Sequence, residues 1–248
     1  MTSDSILLVI AALIVGMSKG GLASAAAIAV PMLALFMNPV KAAAMLLPVY
    51  IVTDWIGVWL YRHHYSTRNL TILIPSILLG VAVATVITPY TPEAALLIFT
   101  GGIGLWFCWR AWRKRGVQDP VAARVGPGIF WGTLTGIASF ITHSGAPPSQ
   151  AFLLPQKLPK LEFAGTVAIS FAVGNLVKLP AYAAIGQLEG LNWTLIGGLA
   201  ATGVVGTVLG RWLTHLMPER IYMRVIQGML FVLSVILLIR GTMDLAAG

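Results

Sequence analysis

The sequence predicts an all-α, polytopic membrane protein, and three observations carry that prediction: its hydropathy, the length of its apolar runs, and where its basic residues fall. Of 248 residues, 58% are hydrophobic and only 10% are charged, with a mean hydropathy of +0.87. A soluble domain carries about a quarter of its residues charged, and its exterior needs polar cover that this composition does not supply. Uncharged stretches such as 70–87 and 195–209 recur along the chain, and runs of about 18–20 apolar residues read as membrane spans. The net charge of +8 does not point to nucleic acid, because Lys and Arg sit in short loops between apolar segments, as the positive-inside rule distributes them. Cys108 is the one cysteine, which excludes an internal disulfide and a multi-cysteine metal site; no cofactor is expected. The first apolar run, 6–15, has no basic residue before it and no cleavage site after it, so it reads as retained structure and not as a signal peptide.

The apolar segments are 6–36, 42–61, 70–88, 93–110, 126–156, 162–185, 193–213 and 220–240. A basic stretch around Arg113-Lys114-Arg115 separates a first membrane repeat (1–112) and a linker (113–125) from a second membrane repeat (126–248). The halves look related. Asn69-Leu70-Thr71 opens the third segment and Asn192-Trp193-Thr194 the seventh, 123 residues later; Gly80 and Gly203 keep that spacing, and Thr91-Pro92-Glu93 answers Met217-Pro218-Glu219. Duplicated units of this kind are common in secondary transporters, with the substrate site at their interface.

Segments one and five are 31 residues long, about 46 Å as straight helices against a hydrocarbon core of about 30 Å. Each is broken near its middle, by Ser18-Lys19-Gly20-Gly21 and by His143-Ser144-Gly145-Ala146-Pro147-Pro148, where consecutive prolines remove backbone donors and disfavour helix. Charge decides between long spans and re-entrant hairpins. If all eight segments cross, the basic residues divide eight to six between the two sides; if segments one and five are hairpins, they divide twelve to two, leaving only Lys41 and Arg240 on the poorer side. The second division is the one the positive-inside rule expects. Each half then crosses three times, an odd number, so the second half is inverted relative to the first. The expected topology is six spans and two opposed hairpins, with the tips able to meet near the midplane, the linker cytoplasmic and both termini periplasmic.

Two lysines remain inside apolar segments, Lys19 at the first tip and Lys178 in Gly174-Asn175-Leu176-Val177-Lys178. A charge at bilayer centre costs about 3 kcal/mol or more, so such a residue is a functional candidate. The competing structural reading pairs a lysine with Asp54, the one acidic residue deep in an apolar segment; Asp54 could equally serve proton coupling. Gly20 and Gly21 leave the backbone uncovered before 22–36, and free N–H groups at a helix start favour an anion. Ser144, Gly145 and Ala146 offer the same in the second half, with Ser149 and Gln150 as further donors. Together these form an expected site for a small oxyanion. The alternative for the glycines is close helix packing, since Gly16/Gly20 and Gly128/Gly132/Gly136 fit small-xxx-small contacts. His143 reads equally as a proton relay or as a neutral hydrogen-bond donor. Asp54 aligns with Asn175 in the other half, and the tryptophans read as interface anchors or packing.

Gly16 to Gly21 (Gly-x-x-Lys-Gly-Gly) followed by Pro31, His143-Ser144-Gly145-Ala146-Pro147-Pro148, and Asn175-x-x-Lys178 together resemble the sulfite exporter TauE/SafE family over essentially the whole chain. Family patterns often carry a second glycine where Ala146 stands, a departure that alters the tip. The resemblance implies export of sulfite or a small organosulfonate such as sulfoacetate across the bacterial inner membrane. The partners expected are that anion and membrane lipid, with no nucleic acid; a homodimer is compatible with this reading and not required by it. A chloride or carboxylate exchanger would use similar residues, whereas a passive channel needs a continuous polar pore that the sequence does not obviously supply. An intramembrane enzyme is disfavoured: Ser144 adjoins His143, neighbours in sequence do not normally make a nucleophile–base pair, and no orienting carboxylate or zinc motif is evident.

Overall fold

The computed structural model describes residues 3–23, 25, 26, 29, 33, 39–87, 92–113, 119–184 and 188–247. Every regular element among them is helical: α1 (Ser3–Lys19), α2 (Pro39–Tyr61), α3 (Thr67–Ile87), α4 (Glu93–Arg113), α5 (Val125–Thr142), α6 (Ala146–Leu153) with a 3-10 turn at Leu154–Gln156, α7 (Lys160–Ala184), α8 (Trp193–Leu216) and α9 (Glu219–Ala247). Four are long and apolar enough to cross a membrane over Thr67–Ile87, Lys160–Pro180, Trp193–Leu216 and Glu219–Ala246; shorter apolar stretches lie at Ile6–Lys19, Met45–Tyr61 and Leu97–Trp109. Trp55, Trp59, Val86, Trp193 and Trp212 are more than half exposed. Aqueous surfaces rarely hold so much large apolar surface, whereas lipid accepts it. Several hydroxyls within the helices bond back to the preceding turn, as Thr53 to Val49 O (2.8 Å), Ser76 to Ile72 O (2.6 Å) and Ser234 to Leu230 O (2.7 Å), which satisfies them where water is excluded.

Both unusual segments are broken where the sequence expects. The first helix stops at Lys19. Most of 22–36, the expected second limb, lies outside the described residues, as do Pro31, Thr91 and the linker residues Lys114 and Arg115. In the fifth segment α5 ends at Thr142, His143 takes a left-handed conformation (φ 54°), and α6 restarts at Ala146 with Pro147 and Pro148 in its first turn, where missing N–H groups cost least. Helices α5 and α6 pack together, and the Val121 N–H, just before α5, donates to Pro155 O, just after α6 (3.0 Å).

The chain forms two compact units, and each draws on both halves of the sequence. The first comprises 1–66 and 160–222 and contains α1, α2, α7 and α8; the second comprises 67–159 and 223–248 and contains α3 to α6 and most of α9. In the first unit α1 lies along α8, and a Cβ at Gly16 would run into Gly203 O, one at Gly206 into Leu13 O, and one at Gly210 into Met17 O. In the second, α3 lies along α5, where a Cβ at Gly80 would strike Thr133 O and one at Gly136 would strike Ile77 O. These glycines let backbones approach closely, the way membrane helices gain van der Waals contact without a hydrophobic driving force. The packing alternative for the small-residue motifs is therefore realised at Gly16, Gly20 and Gly136.

Candidate functional site

The first unit presents a glycine turn beside the lysine that precedes it. The N–H of Gly20 donates to Gly16 O (3.0 Å), that of Gly21 to Ser18 O (3.1 Å) and that of Leu22 to Met17 O (3.2 Å). This is a glycine C-cap that closes α1 onto its own last carbonyls: the N–H groups of Gly20, Gly21 and Leu22 are engaged, while most of 22–36, the limb expected to offer free donors, lies outside the described residues. The glycines are needed for space. Gly21 has φ +130°, and a Cβ there would meet Thr214 Oγ1 and the Tyr61 hydroxyl, while one at Gly20 would meet the backbone of Thr207 and Arg211. Their carbonyls are held as well. Gly20 O accepts from the Tyr61 hydroxyl, and Gly21 O from Tyr222 (2.7 Å).

With its backbone fixed, Lys19 is held at the C-terminal end of α1, where a cation suits the helix dipole. Its Nζ lies 2.6 Å from Asp54 Oδ1 on α2. Asp54 Oδ2 accepts from Asn175 Nδ2 (2.7 Å), and Asn175 Oδ1 accepts from Lys178 Nζ (3.0 Å), both from α7. The result is a continuous chain, Lys19–Asp54–Asn175–Lys178, whose members are 5%, 3%, 3% and 1% exposed. The Lys19 ammonium also lies 5.1 Å from the Tyr50 ring centroid and 5.7 Å from that of Phe171, within cation–π range. The pairing of a lysine with Asp54 is thus realised. A buried pair without a further role is a weak source of stability, because desolvation offsets the Coulomb gain; here the Asp54 carboxylate takes Lys19 directly and reaches Lys178 only through the Asn175 amide.

The second unit carries the other expected group. His143, Ser144, Gly145 and Gln150 are all buried around the α5–α6 break. Helix-start donors are fewer than the sequence suggests. Pro147 and Pro148 have no N–H, the Ser149 N–H donates to Gly145 O (3.3 Å), and the Ser149 hydroxyl donates to Ala146 O (3.0 Å). The Ser144 N–H caps α5 by donating to Ala138 O (3.2 Å). Below the tip, Asn69 and Gln156 exchange amide hydrogen bonds of 2.9 and 3.0 Å.

The model of the sulfite exporter TauE/SafE family matches residues 8–237 of this chain. The chain belongs to that family. No curated protein and no solved structure matches it. Membership in the TauE/SafE family makes this a membrane transport protein of the sulfite-exporter type, and the apolar helices agree with that. Among the described residues no group of three or more His, Cys, Asp or Glu side chains comes together as a metal site.

Of the residues singled out from this TauE/SafE sequence, Lys19, Gly20, Gly21, Asp54, Asn175 and Lys178 fall in the first unit, and His143, Ser144, Gly145 and Gln150 in the second. Sequence reasoning missed Tyr50, Gly57 and Phe171. A Cβ at Gly57 would come 3.1 Å from Lys19 O, so this glycine makes room for the tip. A signal existed. On α2, Tyr50, Asp54, Gly57 and Tyr61 follow helical spacing, and Phe171, Asn175, Lys178 and Tyr182 repeat it on α7 exactly 121 residues later.

Proposed function

We propose that the chain is a secondary transporter that exports a sulfur oxyanion or organosulfonate, such as sulfite or sulfoacetate, and that Lys19, Asn175 and Lys178 bind the anion beside the Gly20-Gly21 turn. The observation that carries this reading is the buried Lys19–Asp54–Asn175–Lys178 chain: two amines buried this deep are costly to maintain, and a small anion is the ligand whose chemistry suits them. For the second tip we propose substrate hydrogen bonding by His143, Ser144, Gly145 and Gln150, and for Asp54 and His143 a part in coupling. Calorimetry on Lys19→Ala tests the core of the proposal. Binding of sulfite and sulfoacetate is expected to disappear; unchanged affinity for every anion the wild type binds would sink it.

Six crossings and two re-entrant hairpins are our reading of the topology, as an inverted repeat in a bacterial inner membrane with a cytoplasmic linker and periplasmic termini. The Val121–Pro155 hydrogen bond supports a hairpin in the second half, because it joins the entry of the α5–α6 segment to its exit. The duplication is supported by pairing. Under the repeat α1 corresponds to α5 and α8 to α3, and the packed pairs α1–α8 and α5–α3 correspond, each with glycine at the crossing (Gly16 and Gly203, Gly136 and Gly80).

A further inference from the structure

We propose that the end of α4 and the start of α9 form a binding site for an anionic phospholipid of the leaflet that the linker faces. Arg113 and Arg224 take its phosphate, Trp109 and Trp112 flank the level of its glycerol, and an acyl chain begins in the notch over Gly228. This goes beyond the transport reading and does not depend on it.

The two helices run antiparallel within the second unit. A Cβ at Gly241 would meet Ala94 O, and one at Gly101 would meet Ser234 O. Further along, Cys108 Sγ lies 3.8 Å from Gln227 O, and the Trp112 ring stands 5.1 Å from that of Phe231. The last turn of α4 therefore lies beside the first turns of α9. The apolar stretch Leu97–Trp109 ends here, which sets the depth at the bilayer interface. Trp106, Trp109 and Trp112 follow one another at a spacing of three, each about half exposed, as tryptophans at headgroup level are placed.

Charge names the ligand. Residues 94–118 carry four basic side chains and no acidic one, and no acidic residue falls between Arg220 and Asp244. The two ends of α9 differ in how they treat arginine. Arg240 lies 3.7 Å from Asp244, whereas among the described residues neither Arg224 nor Arg113 has a carboxylate within ion-pair distance. The Arg113 guanidinium lies 4.7 Å from the Trp109 ring centroid, a cation–π contact that holds it at the interface. Its planar fork of donors matches a phosphate. On α9, Arg224, Gly228 and Phe231 share one face. A Cβ at Gly228 would meet nothing within 4 Å, so the glycine leaves a gap between the arginine and the exposed Phe231 ring. A cationic rim above an apolar notch suits an amphiphile with an anionic head, whereas a free inorganic anion would use the rim alone. Juxtamembrane basic clusters draw anionic lipid for the same reason.

The test uses full-length protein in a neutral detergent, with dioleoylphosphatidylglycerol as the anionic probe and dioleoylphosphatidylcholine as the zwitterionic one. Native mass spectrometry counts bound lipid, and the thermal unfolding midpoint reports its effect on the fold. The wild type is expected to bind phosphatidylglycerol about tenfold more tightly than phosphatidylcholine, and its midpoint should rise with the first lipid only. Arg113→Gln combined with Arg224→Gln should remove that preference. Arg68→Gln combined with Arg124→Gln takes the same charge from other exposed positions of the unit and should keep it. Gly228→Leu fills the notch and leaves both arginines in place, so it should weaken phosphatidylglycerol binding with the lipid-free midpoint unchanged. Equal wild-type affinity for the two lipids overturns the proposal, as does an equal loss in the two double variants. Glycerol phosphate that raises the midpoint as far as phosphatidylglycerol does would assign the rim to a free phosphate and overturn the lipid. If Arg113→Gln with Arg224→Gln does not fold, Gly228→Leu decides, and undiminished phosphatidylglycerol binding in that variant overturns the site.

Discussion

Helices α2 and α7 carry the same stripe, Tyr50, Asp54, Gly57 and Tyr61 on one and Phe171, Asn175, Lys178 and Tyr182 on the other. They also pack against each other in one compact unit. The end positions are aromatic on both helices, whereas the middle positions are complementary. Asp54 stands opposite Asn175 and accepts from it at 2.7 Å. Gly57 and Lys178, 121 residues apart, have opposite roles: the glycine yields space to the Lys19 backbone, and the lysine adds a second amine. Two carboxylates facing each other would crowd like charge and two amides would supply none, so neither arrangement would give Lys19 one acid oriented by an amide. The difference between the two helices is what makes a polar cluster sustainable in a lipid-embedded unit.

That comparison can be broken most severely at its acid. Asp54→Ala leaves the Lys19 ammonium buried without its partner, an expected loss of about 3–5 kcal/mol, read as a lowered unfolding midpoint in detergent. A sharper version moves the acid to the other helix. Asp54→Asn combined with Asn175→Asp should recover about 0.5–3 kcal/mol relative to the sum of the single changes, in a double-mutant cycle of thermal stability; simple additivity would mean that the two positions do not function as a pair. The smallest effect lies at the end of the stripe. Tyr61→Phe removes the hydroxyl that donates to Gly20 O while Thr214 Oγ1 remains 3.4 Å away, so a cost of about 1 kcal/mol is expected from the same unfolding measurement.

Much of this was legible from sequence because the membrane simplifies the code. A segment that must satisfy its backbone internally becomes a helix wherever apolar residues run long enough, so the expected segment 193–213 appears as Trp193–Leu216 and the expected breaks fall after Lys19 and Thr142. The two lysines stood out because their cost at depth does not depend on the fold. The fate of the backbone donors was less legible. Gly20 and Gly21 suggest exposed N–H groups, but a glycine that ends a helix also lets the chain turn back and cap it, and packing against α8 and α2 favours the second outcome. Arg211 is another case: counted with the loop charges although it falls near the end of the expected segment 193–213, it lies within α8 with its guanidinium 4.2 Å from the centre of the Tyr61 ring.

By itself, the sequence determined that this chain is helical, lipid-embedded and of the TauE/SafE type, and that Lys19, Asp54, Asn175 and Lys178 are polar groups stranded among apolar ones. Those properties follow from composition, periodicity and motif, each readable within a single segment. Only the tertiary structure decided that the four residues form one hydrogen-bonded chain, and that α1 and α2 share a compact unit with α7 and α8. The physical reason is that helices in lipid choose partners by close steric fit. Glycine faces on several helices could each accept a neighbour, and which pairs form depends on matched surfaces that lie far apart in sequence.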